Sequence, residues 1–131
     1  MITLDTNVLA RFLVQDDPVQ APRARAFLLE ALETGSLCFV SDIVLCELVW
    51  VLDRCFEFRP EEIQHALRQL LLARQLTFSS LDLFQRALAA YEEGRGDFAD
   101  YLIREHGRES GSTHMVTFDK DLLEEPGFLA P

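Results

Sequence analysis

Four stretches of the chain place an acid where an α/β protein puts its chemistry. Asp5 follows the short apolar run Ile2-Thr3-Leu4, and Asp119 follows Met115-Val116-Thr117-Phe118. Ligands of open α/β sheets bind beyond the carboxyl ends of the strands, so these two acids are the first site candidates. Glu47 and the pair Asp97 and Asp100 stand near expected helix starts that such a sheet could bring to the same edge. Carboxylates gathered in one place repel one another, and their pKa values rise unless a cation neutralises them. Oxygen donors without His or Cys select a hard ion, Mg²⁺ or Mn²⁺. Such an ion lowers the pKa of a bound water and polarises a phosphoryl oxygen, which suits hydrolysis of a phosphodiester.

Each acid also has a plainer reading. Asp5 and Asp119 suit the N-caps of following helices, and Asp97 with Asp100 has capping-box spacing. Glu47 is expected to be different. Its neighbours three and four positions away on a helix are Ile43, Val44, Trp50 and Val51, all apolar. That pattern predicts a carboxylate facing the core, where it needs a partner, either a metal ion or a distant Arg.

The 22 acids outnumber the 12 Lys and Arg, and the net charge of −10 argues against passive, charge-driven binding of nucleic acid. It leaves room for an enzyme that meets phosphates with a metal and a local basic group. It also suits a basic protein partner. At 131 residues and 49% apolar, the chain is expected to be one domain, residues 1–131, with a real core. Cys38, Cys46 and Cys55 lack a C-x-x-C spacing and read as reduced core residues of a cytoplasmic protein. The opening Met-Ile-Thr-Leu-Asp has no basic run, so no secretory leader is expected, and no apolar run is long enough to span a membrane.

Short apolar runs alternate with helical patterns, the signature of an α/β fold. Strands are expected at 2–4, 37–40, 76–78 and 114–118, with a short edge strand at 128–129. Helices are expected at 6–14, from Asp16-Asp17-Pro18 to about 33, from Ser41 or Asp42 to about 55, from Arg59-Pro60-Glu61 to about 74, at 81–91, and at 97–106 with Gly107 as its stop. Together they predict a central, mostly parallel sheet of four to five strands sandwiched by helices.

The residues resemble a known family in chain order. MITLDTNVL resembles the first motif of PIN-domain ribonucleases, with Asp5 as its acid and Thr6 and Asn7 as supporting polar residues. SDIVLCELVWVL resembles the second motif, with Glu47. GDFADYLI resembles the third, and VTFDKDL the fourth, with Thr117 and Asp119. The order and spacing match over nearly the whole chain, in the style of the bacterial VapC toxins. The resemblance implies a parallel sheet between helices, Mg²⁺ or Mn²⁺, and endonucleolytic cleavage of RNA. It implies a homodimer and a VapB-type antitoxin, with no membrane. It also places the metal acid of the third motif at Asp100, followed by the apolar pair Leu102 and Ile103, and leaves Asp97 mainly as a cap or an additional metal group.

Two other readings remain. A PIN fold could serve only as a binding module. A phospho-accepting receiver domain also gathers acids, a Thr and a Lys, but the third strand here ends in Ser79-Ser80. If RNA is the substrate, its phosphates need cations near the acids. Arg104 and Arg108, four apart on one helix, and Lys120 beside Asp119 are the candidates.

Overall fold

A computed structural model describes all residues, 1–131. It divides into two compact units, Met1–Leu81 and Asp82–Pro131.

The first unit is built on three short parallel strands in the order β1 (Ile2–Thr3), β2 (Cys38–Val40) and β3 (Leu76–Phe78). Cys38 stands opposite both Ile2 and Leu76, so the register is continuous across the sheet. Parallel neighbours need crossovers, and helices supply them: α1 (Thr6–Leu13) and α2 (Gln20–Thr34) join β1 to β2, and α3 (Asp42–Arg54) and α4 (Pro60–Leu72) join β2 to β3.

The helix ends follow local chemistry. Asp17 Oδ1 accepts from the Val19 and Gln20 N–H groups at 2.9 and 2.6 Å, so α2 begins at the expected acidic cap but two residues past Pro18. Gly35, at φ 72°, closes it in the left-handed conformation that glycine adopts without strain. Ser41 Oγ caps α3 from the Val44 N–H at 3.2 Å. Pro60 occupies the first turn of α4, and Glu62 reaches back to the Arg59 N–H at 3.0 Å. The core is aliphatic, with Leu9, Leu28, Val40, Leu45, Leu48 and Leu52 excluded from solvent. Its one buried amide, Gln75, donates to the Leu28 carbonyl at 3.1 Å.

The second unit holds most of α5 (Leu81–Glu93), then α6 (Phe98–Glu109) and a parallel pair, β4 (Met115–Val116) and β5 (Phe128–Leu129), joined through a 3-10 turn at Leu122–Glu124. Phe98 packs edge-on against Phe84 and Tyr91, with ring centroids 5.8 and 6.2 Å apart.

Two expectations need correction. The strands are all parallel, but they form a sheet of three and a separate pair rather than one sheet of four to five. Helix α6 also runs through Gly107. An interior Gly costs a helix about 1 kcal/mol relative to Ala but does not stop it. The stop is Gly111, at φ 96°, where the Gly111 N–H donates to the Arg108 carbonyl and the Ser112 N–H to the Gly107 carbonyl.

Candidate active site

In the first unit the candidate acid Asp5 stands where β1 ends. Asp5 leaves the strand in an extended conformation and caps α1, its Oδ1 accepting from the Thr6 N–H at 2.7 Å. The side chain of Thr6 is buried, and its hydroxyl donates to Glu47 Oε1 at 3.2 Å. A single threonine therefore ties the strand end that carries Asp5 to the helix that carries Glu47. Asp5 and Asn7 are exposed, and both line a groove of about 570 Å³ with Val8, Arg11 and Arg23.

Glu47 itself is exposed, contrary to the expectation that it faces the core. The buried stripe of α3 is Val44, Leu45, Leu48 and Leu52. Two of the apolar neighbours that suggested burial, Ile43 and Trp50, are 74% and 59% exposed. Helix α3 is apolar nearly all round, so periodicity does not reveal which side meets the core.

The second unit gathers its acids at the start of α6. Asp97 takes the N-cap position, and Asp100 Oδ2 accepts the Asp97 N–H at 2.9 Å, the back-bond of a capping box. Asp100 is half-buried. Burial pushes its carboxyl above the ordinary 3.8, and the charges of Asp97, Asp119 and Glu125 add to the rise, against the lowering by the Asp97 N–H. Asp119 therefore belongs to the electrostatic surroundings of Asp100. The Thr117 hydroxyl accepts from the Asp119 N–H at 3.1 Å, and Asp119 Oδ1 accepts from the Asp121 N–H at 2.9 Å. Thr117 thus shapes the turn that presents Asp119.

Residues beyond the candidate acids build this end of the unit. Tyr101 is wholly buried. Its hydroxyl accepts from the Gly96 N–H, and Glu125 holds the Arg95 N–H at 3.0 Å. A Cβ on Gly94 would collide with the Tyr101 hydroxyl, and one on Gly96 would stand 2.5 Å from Leu122 Cδ2. The Gly94-Arg95-Gly96 sequence marks a loop, but its role in packing that loop against Tyr101 and Glu125 has no local signature.

The expected basic residues fare differently. Arg104 is 10% exposed in its side chain and is occupied inside the unit. It pairs with Glu105 at 3.2 Å, donates to the Pro126 carbonyl at 3.2 Å, and lies 5.2 Å from the ring centroids of both Tyr101 and Phe128. Arg108 pairs with Glu105 at 3.0 Å. Glu105 is a buried carboxylate on which Arg86, Arg104 and Arg108 converge, an ion cluster that the sequence reading missed. Lys120 is exposed beside Asp119.

The donors present are oxygen atoms, and the acids around Asp100 fit a hard cation. No group of three or more His, Cys, Asp or Glu side chains is placed to hold a metal ion.

The family model of the PIN domain matches residues 2–128. The chain belongs to the PIN domain family. This PIN domain is also similar to a curated protein named VapC ribonuclease from Aquifex aeolicus (strain VF5). The two are 25% identical over 92% of this chain and 88% of the relative. No helix of this PIN domain is long and apolar enough to cross a membrane.

Proposed function

We propose that this PIN domain is a VapC-type toxin, a metal-dependent endoribonuclease that hydrolyses RNA phosphodiesters and is neutralised by a VapB-type antitoxin. The observation that carries the reading is the start of α6, where half-buried Asp100 accepts the Asp97 N–H and its carboxyl is raised by burial and then by the charges of Asp97, Asp119 and Glu125, in a chain of this family. Likeness to a VapC ribonuclease along most of both chains supports the toxin assignment.

Asp5, Glu47, Asp100 and Asp119 are the residues that would hold Mg²⁺ or Mn²⁺, with Asp97 as cap and additional acid. The bound ion would lower the pKa of a water and polarise the phosphodiester. The chain's own residues supply position. Thr6 holds Glu47 through its hydroxyl, Thr117 shapes the turn before Asp119, and the Asp97 N–H fixes one oxygen of Asp100, leaving the other for the ion. Asn7 would support Asp5, and Lys120, exposed beside Asp119, would contact an RNA phosphate. A homodimer in the cytoplasm is part of the same reading.

The test is cleavage of structured cellular RNA by purified protein, with and without Mg²⁺ or Mn²⁺. Wild type should cut only with metal, and Asp5→Asn and Glu47→Gln should lose cleavage at least a hundred-fold while staying folded. Metal-independent cleavage, or full activity in Asp5→Asn, rejects the mechanism. RNA binding without cleavage at any metal concentration would make the protein a binding module.

A further inference from the structure

The C-terminal half of α6 carries more positive charge than its surroundings use. Buried Glu105 is paired by Arg104 and Arg108 at 3.2 and 3.0 Å on one oxygen, and Arg86 reaches its other oxygen at 3.8 Å. Arg86 is answered separately by Asp82 and also feels the charge of Glu109. Arg104 and Arg108 therefore share a single carboxylate, which leaves one positive charge over. Arg104 Nε is buried and has no hydrogen-bond partner, a state that folded proteins seldom leave standing. Both arginines line a cavity of about 190 Å³, together with Gly107, Ser112, Thr113 and His114. The turn at Gly111 builds it. The Ser112 N–H returns to the Gly107 carbonyl at 2.8 Å and brings the following residues back beside the helix. His114 Nδ1 and the Thr113 hydroxyl lie 3.1 Å apart. The glycine inside the helix has a place in this arrangement. It weakens α6, yet a Cβ there would stand 3.5 Å from that of Ser112, narrowing the cavity without a clash.

We propose that this cavity binds a phosphate dianion, free or as the end of a small monoester. Guanidinium forks match the oxygens of a tetrahedral phosphate, and the hydroxyls of Ser112 and Thr113 with the His114 imidazole add neutral donors. The space holds roughly six water molecules at their liquid volume, enough for an oxyanion with a small substituent. A nucleic-acid strand continues on both sides of each phosphate and needs an open track instead. The cavity is also set apart from the acids proposed to hold metal. Gly107 lies seven residues along α6 from Asp100, roughly 10 Å of helix axis. His114 precedes β4, whereas Asp119 follows it. A dianion at this end of α6 is thus kept away from the carboxylates at the other, and it would tie the helix to the approach of β4.

The test is calorimetric titration and thermal unfolding of the full chain in metal-free buffer at fixed ionic strength, with inorganic phosphate, glycerol phosphate and dimethyl phosphate as ligands. Neither measurement depends on cleavage. The Tm should rise with inorganic phosphate and level off, as linkage to one site requires, while chloride leaves it unchanged. Arg108→Gln should weaken phosphate binding about ten-fold or more, and Thr113→Val about three-fold. Gly107→Ala separates binding from stability, because it should raise the Tm without ligand and still weaken binding. It and Thr113→Val keep the test open if Arg108→Gln, which takes a partner from Glu105, fails to fold. Tighter binding of glycerol phosphate than of inorganic phosphate assigns the cavity to a monoester, and the reverse order to the free ion. Three results overturn the proposal. One is a calorimetric titration without binding. Another is a Tm that climbs linearly with phosphate and equally in every variant, which is the general effect of an excluded salt. The third is dimethyl phosphate binding as tightly as inorganic phosphate, which would give the arginines to nucleic-acid diesters.

Discussion

The hydroxyl of Tyr101 donates to Glu125 Oε1 at 2.8 Å and accepts from the Gly96 N–H at 2.9 Å. These residues are 24 positions apart, yet together they hold the loop that leads into Asp97 and Asp100. Burial, with the Glu125 carboxylate beside it, pushes the Tyr101 phenol up to about 12, so it stays a donor at any physiological pH.

Removing that hydroxyl strands two partners in a poorly solvated place. Tyr101→Phe should cost about 1–3 kcal/mol of stability in urea unfolding, the penalty for groups left without a hydrogen bond. Cleavage should fall as well, because the loop that fixes Asp97 and Asp100 loosens. Gly94→Ala should be worse on both counts, since its methyl group would occupy the place of the Tyr101 hydroxyl. A Tyr101→Phe protein as stable and active as wild type would mean that the loop is held by other contacts.

Asp100 carries a folded-state cost at neutral pH. Its carboxyl is raised by burial and by three acidic neighbours, so its charged form opposes folding. Above the ordinary 3.8 this cost is present, and it disappears as the pH falls and Asp100 protonates in both states. Asp100→Asn keeps an oxygen to accept the Asp97 N–H and removes the charge. Its Tm should therefore exceed that of wild type at pH 7 without metal, and the gap should close toward pH 3.8. Added Mg²⁺ should raise the wild-type Tm more than that of the variant. A lower Tm for metal-free Asp100→Asn would show that the capping role outweighs repulsion.

Asp17 makes the opposite prediction. The N–H groups of Gln20 and then Val19 hold its carboxyl below the ordinary 3.8. A depressed acid contributes stability that is complete above its unfolded pKa and is lost as the pH falls through its folded one. Asp17→Ala should lower the Tm at neutral pH, with the difference from wild type narrowing only below 3.8. A difference that is constant down to the acid limit would assign the effect to the neutral Asx hydrogen bonds instead of the charge.

Local chemistry was enough to read much of this protein from its residues. The helix starts depend on side chains, those of Asp5, Asp17, Ser41, Glu62 and Asp100, that bond to backbone groups one to three positions away, and such bonds recur wherever the spacing does. The acids at the ends of β1 and β4 were legible for the same reason, because strand length and the following turn are local. The stop of α6 was misplaced at Gly107 because glycine only weakens a helix, and the left-handed turn that ends it forms at Gly111. What tertiary structure decided is which surfaces meet. Helix α3 has apolar residues on nearly every side, so only packing could choose Leu45, Leu48 and Leu52 for the core and leave Glu47 and Trp50 in solvent. The partners of Tyr101 and of Glu105 are set by chain segments remote in sequence, and no periodicity encodes them. Arg104 was expected by its spacing to meet phosphates, but folding placed it against the rings of Tyr101 and Phe128 and beside a buried carboxylate, where a planar guanidinium packs and pairs at once.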